Sequence, residues 1–173
     1  MPKTEIDPMA DPASHPAPFR AAAMAVEPQW IDYNGHLNMA FYNVLFDRAV
    51  DQAYLTLGMG EDYLKATNNS FFTAEAHVTY LNELNAGDMV TITFQLLDHD
   101  EKRAHYFQEM YRADGALAAT SEQMSLHVDL DTRRVAPFPP AILARLKAMR
   151  RAHAVLPNKP QVGHVIAIRR KPR

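Results

Sequence analysis

The segment Asp32-Tyr33-Asn34-Gly35-His36-Leu37-Asn38-Met39-Ala40-Phe41-Tyr42 joins a tight turn to the start of a long helix. Asp, Asn and Gly crowd into its first half, and each favours a turn for its own backbone reason. Asn38 is a good N-cap for whatever follows. From Met39 to Leu57 there is neither Pro nor Gly. Phe41, Leu45, Ala49, Gln52/Ala53 and Thr56 fall along one helical stripe, with Tyr42, Phe46, Val50 and Tyr54 beside it. So wide a stripe predicts a helix of about 27 Å, covered on most of its circumference. Gly58 is a natural C′ stop.

Downstream, the apolar period changes from helical to two. Phe72, Ala74, Ala76, Val78 and Tyr80 alternate with Thr73, Glu75, His77 and Thr79; Gly87-Asp88 then turns into a second alternating run, Met89–Leu97. His105–Arg112 and Leu117–Leu130 follow, separated by the hairpin signal Asp114-Gly115. Pro137, Pro139 and Pro140 end the strands before a short helix, Ala141–Arg150. Upstream, Phe19–Ile31 reads as a strand. The predicted organisation is a disordered arm over 1–18 (five prolines), a main domain over 19–136, a C-terminal helix over 137–152 and a loose basic tail over 153–173, with Lys159, Arg169, Arg170, Lys171 and Arg173. The class is α+β: an antiparallel curved sheet of four consecutive strands wrapped around one long central helix. Such a sheet keeps exposed edges, so pairing with a second copy is expected.

The 173 residues, 47% of them apolar, suit one packed domain. A net charge of −2 supplies no field to gather nucleic acid or acidic lipid. With no Cys, disulfides, thiolate metal sites and a Cys nucleophile are all excluded. No export signal and no apolar run of membrane length are present, so a cytoplasmic location is expected, without nucleic-acid or membrane partners. The histidines show no metal-ligand spacing, the serines lack a Gly-x-Ser-x-Gly setting, and six scattered glycines make no phosphate loop.

Chemistry concentrates at Asp32. A carboxylate ends an apolar segment, Gly35 lets the backbone come close to a ligand, and a helix N-terminus follows with its free N–H groups and positive dipole end. A carboxylate facing preorganised N–H donors is what thioester hydrolysis requires, the donors holding the developing oxyanion while the carboxylate attacks or activates water. The plainer alternative is that Asp32 only caps its turn.

The spacing of Asp32, Gly35 and Tyr42, with Gly35-His36-Leu37-Asn38 between, resembles the signature of the hot-dog thioesterases of the 4-hydroxybenzoyl-CoA thioesterase type. Trp30-Ile31-Asp32-Tyr33-Asn34-Gly35-His36 is also similar to the betainyl-CoA thioesterase branch. The resemblance implies a hot-dog fold and hydrolysis of an acyl-CoA, with Asp32 as the catalytic carboxylate and the backbone N–H of Tyr42 polarising the carbonyl. Where many relatives carry a second Asn, this chain has Met39. His36 stands open between general base and structural support, and Asn38 between N-cap and substrate contact. Phe41, Phe71 and Phe72 are candidates for the acyl pocket, and Trp30, Tyr33, Phe71 and Phe72 for an aromatic cage around a trimethylammonium group. Thr73 and His77 are candidates on the strand that runs along the hot-dog dimer interface. Asp47 and Asp51, i and i+4 on the helix, read most simply as exposed. Arg133 and Arg134 are candidates for the phosphates of CoA. No metal or redox cofactor is implied, CoA being part of the substrate. A homodimer or dimer of dimers is expected, with sites at the subunit boundary. The rival reading is a non-catalytic acyl-CoA sensor of the same fold.

Overall fold

Asn38 starts the central helix as its side chain predicts: its Oδ1 accepts from the Ala40 N–H at 3.0 Å. In the computed structural model, which describes residues 15–168, helix α1 runs Met39–Thr56, and Gly58 follows at φ +75°. Its buried residues, Tyr42, Leu45, Phe46, Ala49, Val50, Ala53 and Tyr54, make a stripe displaced from the one expected. Met39, Asn43, Asp47, Asp51 and Leu55, spaced by four, form an exposed stripe, so the helix is covered on one face and not most of the way round.

The sheet contains β1 (Phe19–Arg20), β2 (Met24–Ala25), β3 (Asn69–Tyr80), β4 (Met89–His99), β5 (Arg103–Arg112), β6 (Leu117–Asp129) and β7 (Arg134–Val135). All the pairings are antiparallel, in the order β1-β4-β5-β6-β3, with β2 also on β4 and β7 on β6. The four long strands are those expected, but they are not one meander. β3 pairs with β6, so the connection through Gly87-Asp88 crosses from one side of the sheet to the other. Leu81 and Asn82 N–H both donate to the Ala118 carbonyl on the way, and Leu84 is fully buried. β3 therefore ends the sheet, with its other edge unpaired among the described residues.

The strand expected over Phe19–Ile31 is replaced by β1, β2 and a 3₁₀ turn over Pro28–Trp30. Pro28 cannot donate to a ladder and starts the turn. Helix α2, Glu61–Thr67, went unforeseen because its seven residues bury nothing fully. Helix α3, Pro140–His153, starts one residue earlier and ends three later than expected.

Two core clusters sit along α1. One gathers Trp30, Leu37, Tyr42, Leu45, Phe46 and Ala49 with Ile92 and Met110. The other joins Ala53, Tyr54 and Leu57 to Phe94, Tyr106, Phe138 and the α3 residues Ile142, Leu146 and Met149. The expected disordered arm lies outside the described residues up to residue 14. His15 is buried, and His153 Nε2–H donates to the carbonyl of the exposed Pro16 at 3.0 Å. The tail is also tied where described, by Lys159–Glu109 (2.8 Å) and by the Gly163 N–H to Glu122 (2.7 Å). Arg169, Arg170, Lys171 and Arg173 lie outside the described residues. Within them, no helix is long and apolar enough to cross a membrane.

Candidate active site

The turn before α1 is held from several directions. Gly35 N–H donates to the Asp32 carbonyl and Asp32 N–H to the His36 carbonyl, both at 3.0 Å. Asn34 N–H donates to Asp32 Oδ1 at 2.7 Å. Leu37 N–H reaches the Leu84 carbonyl (2.7 Å) and Asn38 N–H the Trp30 carbonyl (3.0 Å), which fixes the turn to its neighbours. Gly35 has φ +87°, where a side chain is strained. In the first turn of α1 the Asn38 carbonyl accepts from Phe41 N–H at 3.0 Å.

A cavity of about 280 Å³ opens here, lined by Asp32, His36, Leu37, Met39, Tyr42, Tyr80, Leu81, Asn82 and Glu83. It brings together Asp32, His36 and Tyr42, with Gly35 in the same turn. His36 faces Glu83 (Nε2 to Oε1, 3.9 Å), with Nδ1 3.3 Å from the Leu37 carbonyl. The Tyr42 phenol donates to the Asn82 carbonyl at 3.3 Å, and burial pushes its pKa up, so the side chain is a fixed wall. Tyr80 packs edge-on against Tyr42 at 5.1 Å.

The aromatic candidates do not converge. Trp30 is buried between Phe41, stacked at 5.5 Å, and the Arg48 guanidinium at 5.0 Å. Tyr33 is 97% exposed. Phe71 packs on Tyr54 at 4.7 Å, while Phe72, its neighbour in an extended strand, points to the opposite face and is exposed. The cage of Trp30, Tyr33, Phe71 and Phe72 is thus not formed within the chain.

A bulge explains the placement of the strand candidates. β3 is regular from Asn69 to Thr73, then Glu75 opposes Met124 where Thr73 opposes Ser125, so Ala74 is an extra residue. Thr73, Glu75, His77 and Thr79 were expected on one face; the bulge splits them. Thr73 faces α1 with Phe71 and Ala76, whereas Glu75 and His77 face outward, beside His105, Glu122 and His164. His77 is therefore not beside Asp32 within one chain. Arg133, at φ +57°, and Arg134 are exposed at the β6–β7 turn and line none of the described cavities.

A separate groove lies between the exposed stripe of α1 and β3, beyond the Tyr80 hydroxyl, which donates to the Met39 carbonyl at 3.3 Å. Its middle is lined by Asn43, Val44, Asp47, Thr73, Ala76 and Gln123. Asp47 and Thr73 are shared with a larger cleft of about 670 Å³, which Asp51, Tyr54, Tyr63, Phe71 and Ser125 also line. Sequence reasoning missed Tyr80, Asn82 and Glu83, which reach the site through the crossover. Asp47 and Asp51 are exposed as expected, and both also line the larger cleft.

Residues 26–146 match the family described as the Thioesterase-like superfamily. The chain is 43% identical over 144 residues to the betainyl-CoA thioesterase of Pseudomonas aeruginosa, covering 83% of this chain and 91% of that protein. It is 35% identical over 154 residues to the L-carnitine dehydrogenase/betainyl-CoA thioesterase of Rhizobium meliloti, covering 88% of this chain and 31% of that longer protein. A Staphylococcus aureus protein solved in complex with CoA superposes with a TM-score of 0.82 at 32% identity, covering 88% of this chain and 96% of that one. The hot-dog architecture, the turn before α1 and these similarities agree: the chain belongs to the Thioesterase-like superfamily and is a hot-dog acyl-CoA thioesterase.

Proposed function

We propose that this thioesterase hydrolyses a small polar acyl-CoA, betainyl-CoA being the first choice, with Asp32 as general base or nucleophile. Either Asp32 takes a proton from water as it adds to the thioester carbonyl, or the Asp32 carboxylate attacks that carbonyl, expels CoA and forms a mixed anhydride that water then opens. The C–S bond breaks, and the products are the free acid and CoA thiol. The carbonyl oxygen is held by N–H groups of the first turn of α1, that of Tyr42 foremost, where the helix dipole favours developing negative charge. The observation that carries the mechanism is the meeting of Asp32 and this helix start in one cavity. The relative from Pseudomonas aeruginosa supports the acyl group.

His36 supports the turn beside Asp32, and Asn38 caps the helix. No metal or redox cofactor enters the reaction. The unpaired edge of β3 supports a homodimer or a dimer of dimers, in which His77 of one copy reaches the site of the other. Arg133 and Arg134, both exposed, are the proposed partners of the CoA phosphates. A cytoplasmic location follows from a CoA-linked substrate. The test is thiol release from a panel of betainyl-, short-chain, medium-chain and aromatic acyl-CoAs. Preferential turnover of betainyl-CoA is the expected result; equal or better turnover of the aromatic or medium-chain substrates rejects the assignment.

A further inference from the structure

We infer that Val165–Ile168 forms an arm that crosses the free edge of β3 and packs on the outer sheet face of a second copy, over its Phe72 and Leu126. The inference rests on the homodimer proposed from that edge and adds to it what clasps the two copies together.

The path of the tail is set by its own sheet. Phe107 on β5, Glu122 on β6 and His77 on β3 oppose one another in turn, so they form one row across the strands on the face turned away from α1. The tail follows this row. Lys159 anchors it to Glu109 of β5 at 2.8 Å, and Val162 shares a cavity with Leu97 of β4 and His105 of β5. Gly163 N–H then donates to Glu122 Oε2 at 2.7 Å, and the His164 ring lies 5.8 Å from that of His77. Glu122 is held through its other oxygen by His105 at 2.8 Å. Phe107 is 2% exposed although it faces away from α1, as a side chain under this strap should be. The tail thus steps from strand to strand toward β3, whose far edge is unpaired among the described residues.

Two exposed apolar surfaces are then left over. Beyond His164 come Val165, Ile166, Ala167 and Ile168, and the three large side chains are 76% to 85% exposed. Single exposed apolar residues are ordinary, but three in four consecutive positions mark an interaction surface. Being β-branched, they also favour an extended chain. The other surface is Phe72, 44% exposed on the outer face beside its cross-strand partner Leu126. Phe72 and His77, five residues apart, share that face because Ala74 is an extra residue between them.

Antiparallel pairing of β3 with the β3 of a second copy brings these surfaces together. It sets the half of the strand that carries Phe72 against the half that carries His77, and a two-fold axis normal to the sheet keeps both outer faces on one side. Strands lie about 4.8 Å apart and an extended residue spans about 3.3 Å. Four residues past His164 therefore reach over the neighbour's β3 and then its β6, where Phe72 and Leu126 stand. Within its own chain Phe72 lies five residues back along β3, and the arm leaves it uncovered. Each dimer forms the contact twice, once in each direction.

The test is the dimer dissociation constant of the full chain, read by sedimentation equilibrium. Ile166→Asp/Ile168→Asp should raise it by about a hundredfold, the scale of withdrawing buried isoleucines from two arms. The far-ultraviolet circular dichroism should not change, because both side chains are exposed within one chain. The chain has no Cys, so Phe72→Cys/Ile166→Cys carries a single pair of thiols and should give a covalent dimer on mild oxidation. A dissociation constant unmoved by the Asp substitutions, or a cross-link confined within single chains, overturns the arm and leaves the dimer standing. A wild-type chain that stays monomeric overturns both. Tetramers that fall to equally tight dimers in the Asp variant put the arm between dimers and overturn its path across β3.

Discussion

Asn34 N–H donates to Asp32 Oδ1 at 2.7 Å, so one oxygen of this carboxylate holds its own turn and the other is left for chemistry. The two roles separate by mutation. Asp32→Asn keeps an acceptor for Asn34 and loses the charge. Thiol release should drop by about 10²-fold or more while the urea midpoint barely moves. Asp32→Ala should lose both, with about 1 kcal/mol of stability gone along with the activity. Undiminished turnover in Asp32→Asn would sink the mechanism.

Gly35 and Gly58 are both at positive φ but should respond differently to alanine. Around Gly35 nothing lies within 4 Å of an added Cβ, so only backbone strain opposes it, about 1 kcal/mol. At Gly58 the added atom collides with Arg145 Nη1, which donates to the Leu57 carbonyl at 3.0 Å. Gly58→Ala must add the displacement of that guanidinium to similar strain. Denaturant melts of the two variants should rank Gly58→Ala as the less stable; the reverse order refutes the account.

Trp30 ties the turn to the helix through Phe41 on one side and Arg48 on the other. Trp30→Ala should destabilise the fold by about 3 kcal/mol, read as a lowered urea midpoint. A change below 1 kcal/mol would mean that the stack is not a structural element.

Acid should loosen the junction between α3 and the sheet. His153 accepts from the Leu96 N–H at Nδ1 (2.8 Å) and donates to Pro16 from Nε2, an arrangement that holds the neutral ring. Burial lowers its pKa, and burial also lowers that of His15. The unfolded chain then binds more protons than the folded one below about pH 6.5. Stability is full above that value and is lost as pH falls toward the depressed folded pKa values. His153→Gln should flatten the dependence of the urea midpoint on pH between 7 and 5, and an unchanged slope rejects the assignment.

The central helix and the four long strands were legible because each has a period and a boundary signal: Asn38 and Gly58 for α1, Asp114-Gly115 for the β5–β6 hairpin. Pairing order was not, since the β3–β6 contact joins segments whose periodicity carries no record of each other. The turn at Asp32 was legible from local chemistry, and its similarity to a known family directed attention to Tyr42. The floor of the site was not legible, because Tyr80 and Asn82 arrive by a crossover. The large cleft escaped for a similar reason: Tyr63 lies on α2, a helix too short to announce itself.

The extra residue at Ala74 makes β3 a strand read in two frames. Before it, odd-numbered side chains meet α1; after it, even-numbered ones do. Substitutions at Phe71, Thr73 or Ala76 alter the groove one side chain at a time. Deleting Ala74 would instead remove the extra residue and leave Glu75 opposite Met124, so Glu75 and His77 stay outward and Ala76 and Val78 inward in a straight ladder. Parity, then, decides which side chains face the groove, and the single unpaired residue at Ala74 is what sets that parity for the second half of the strand.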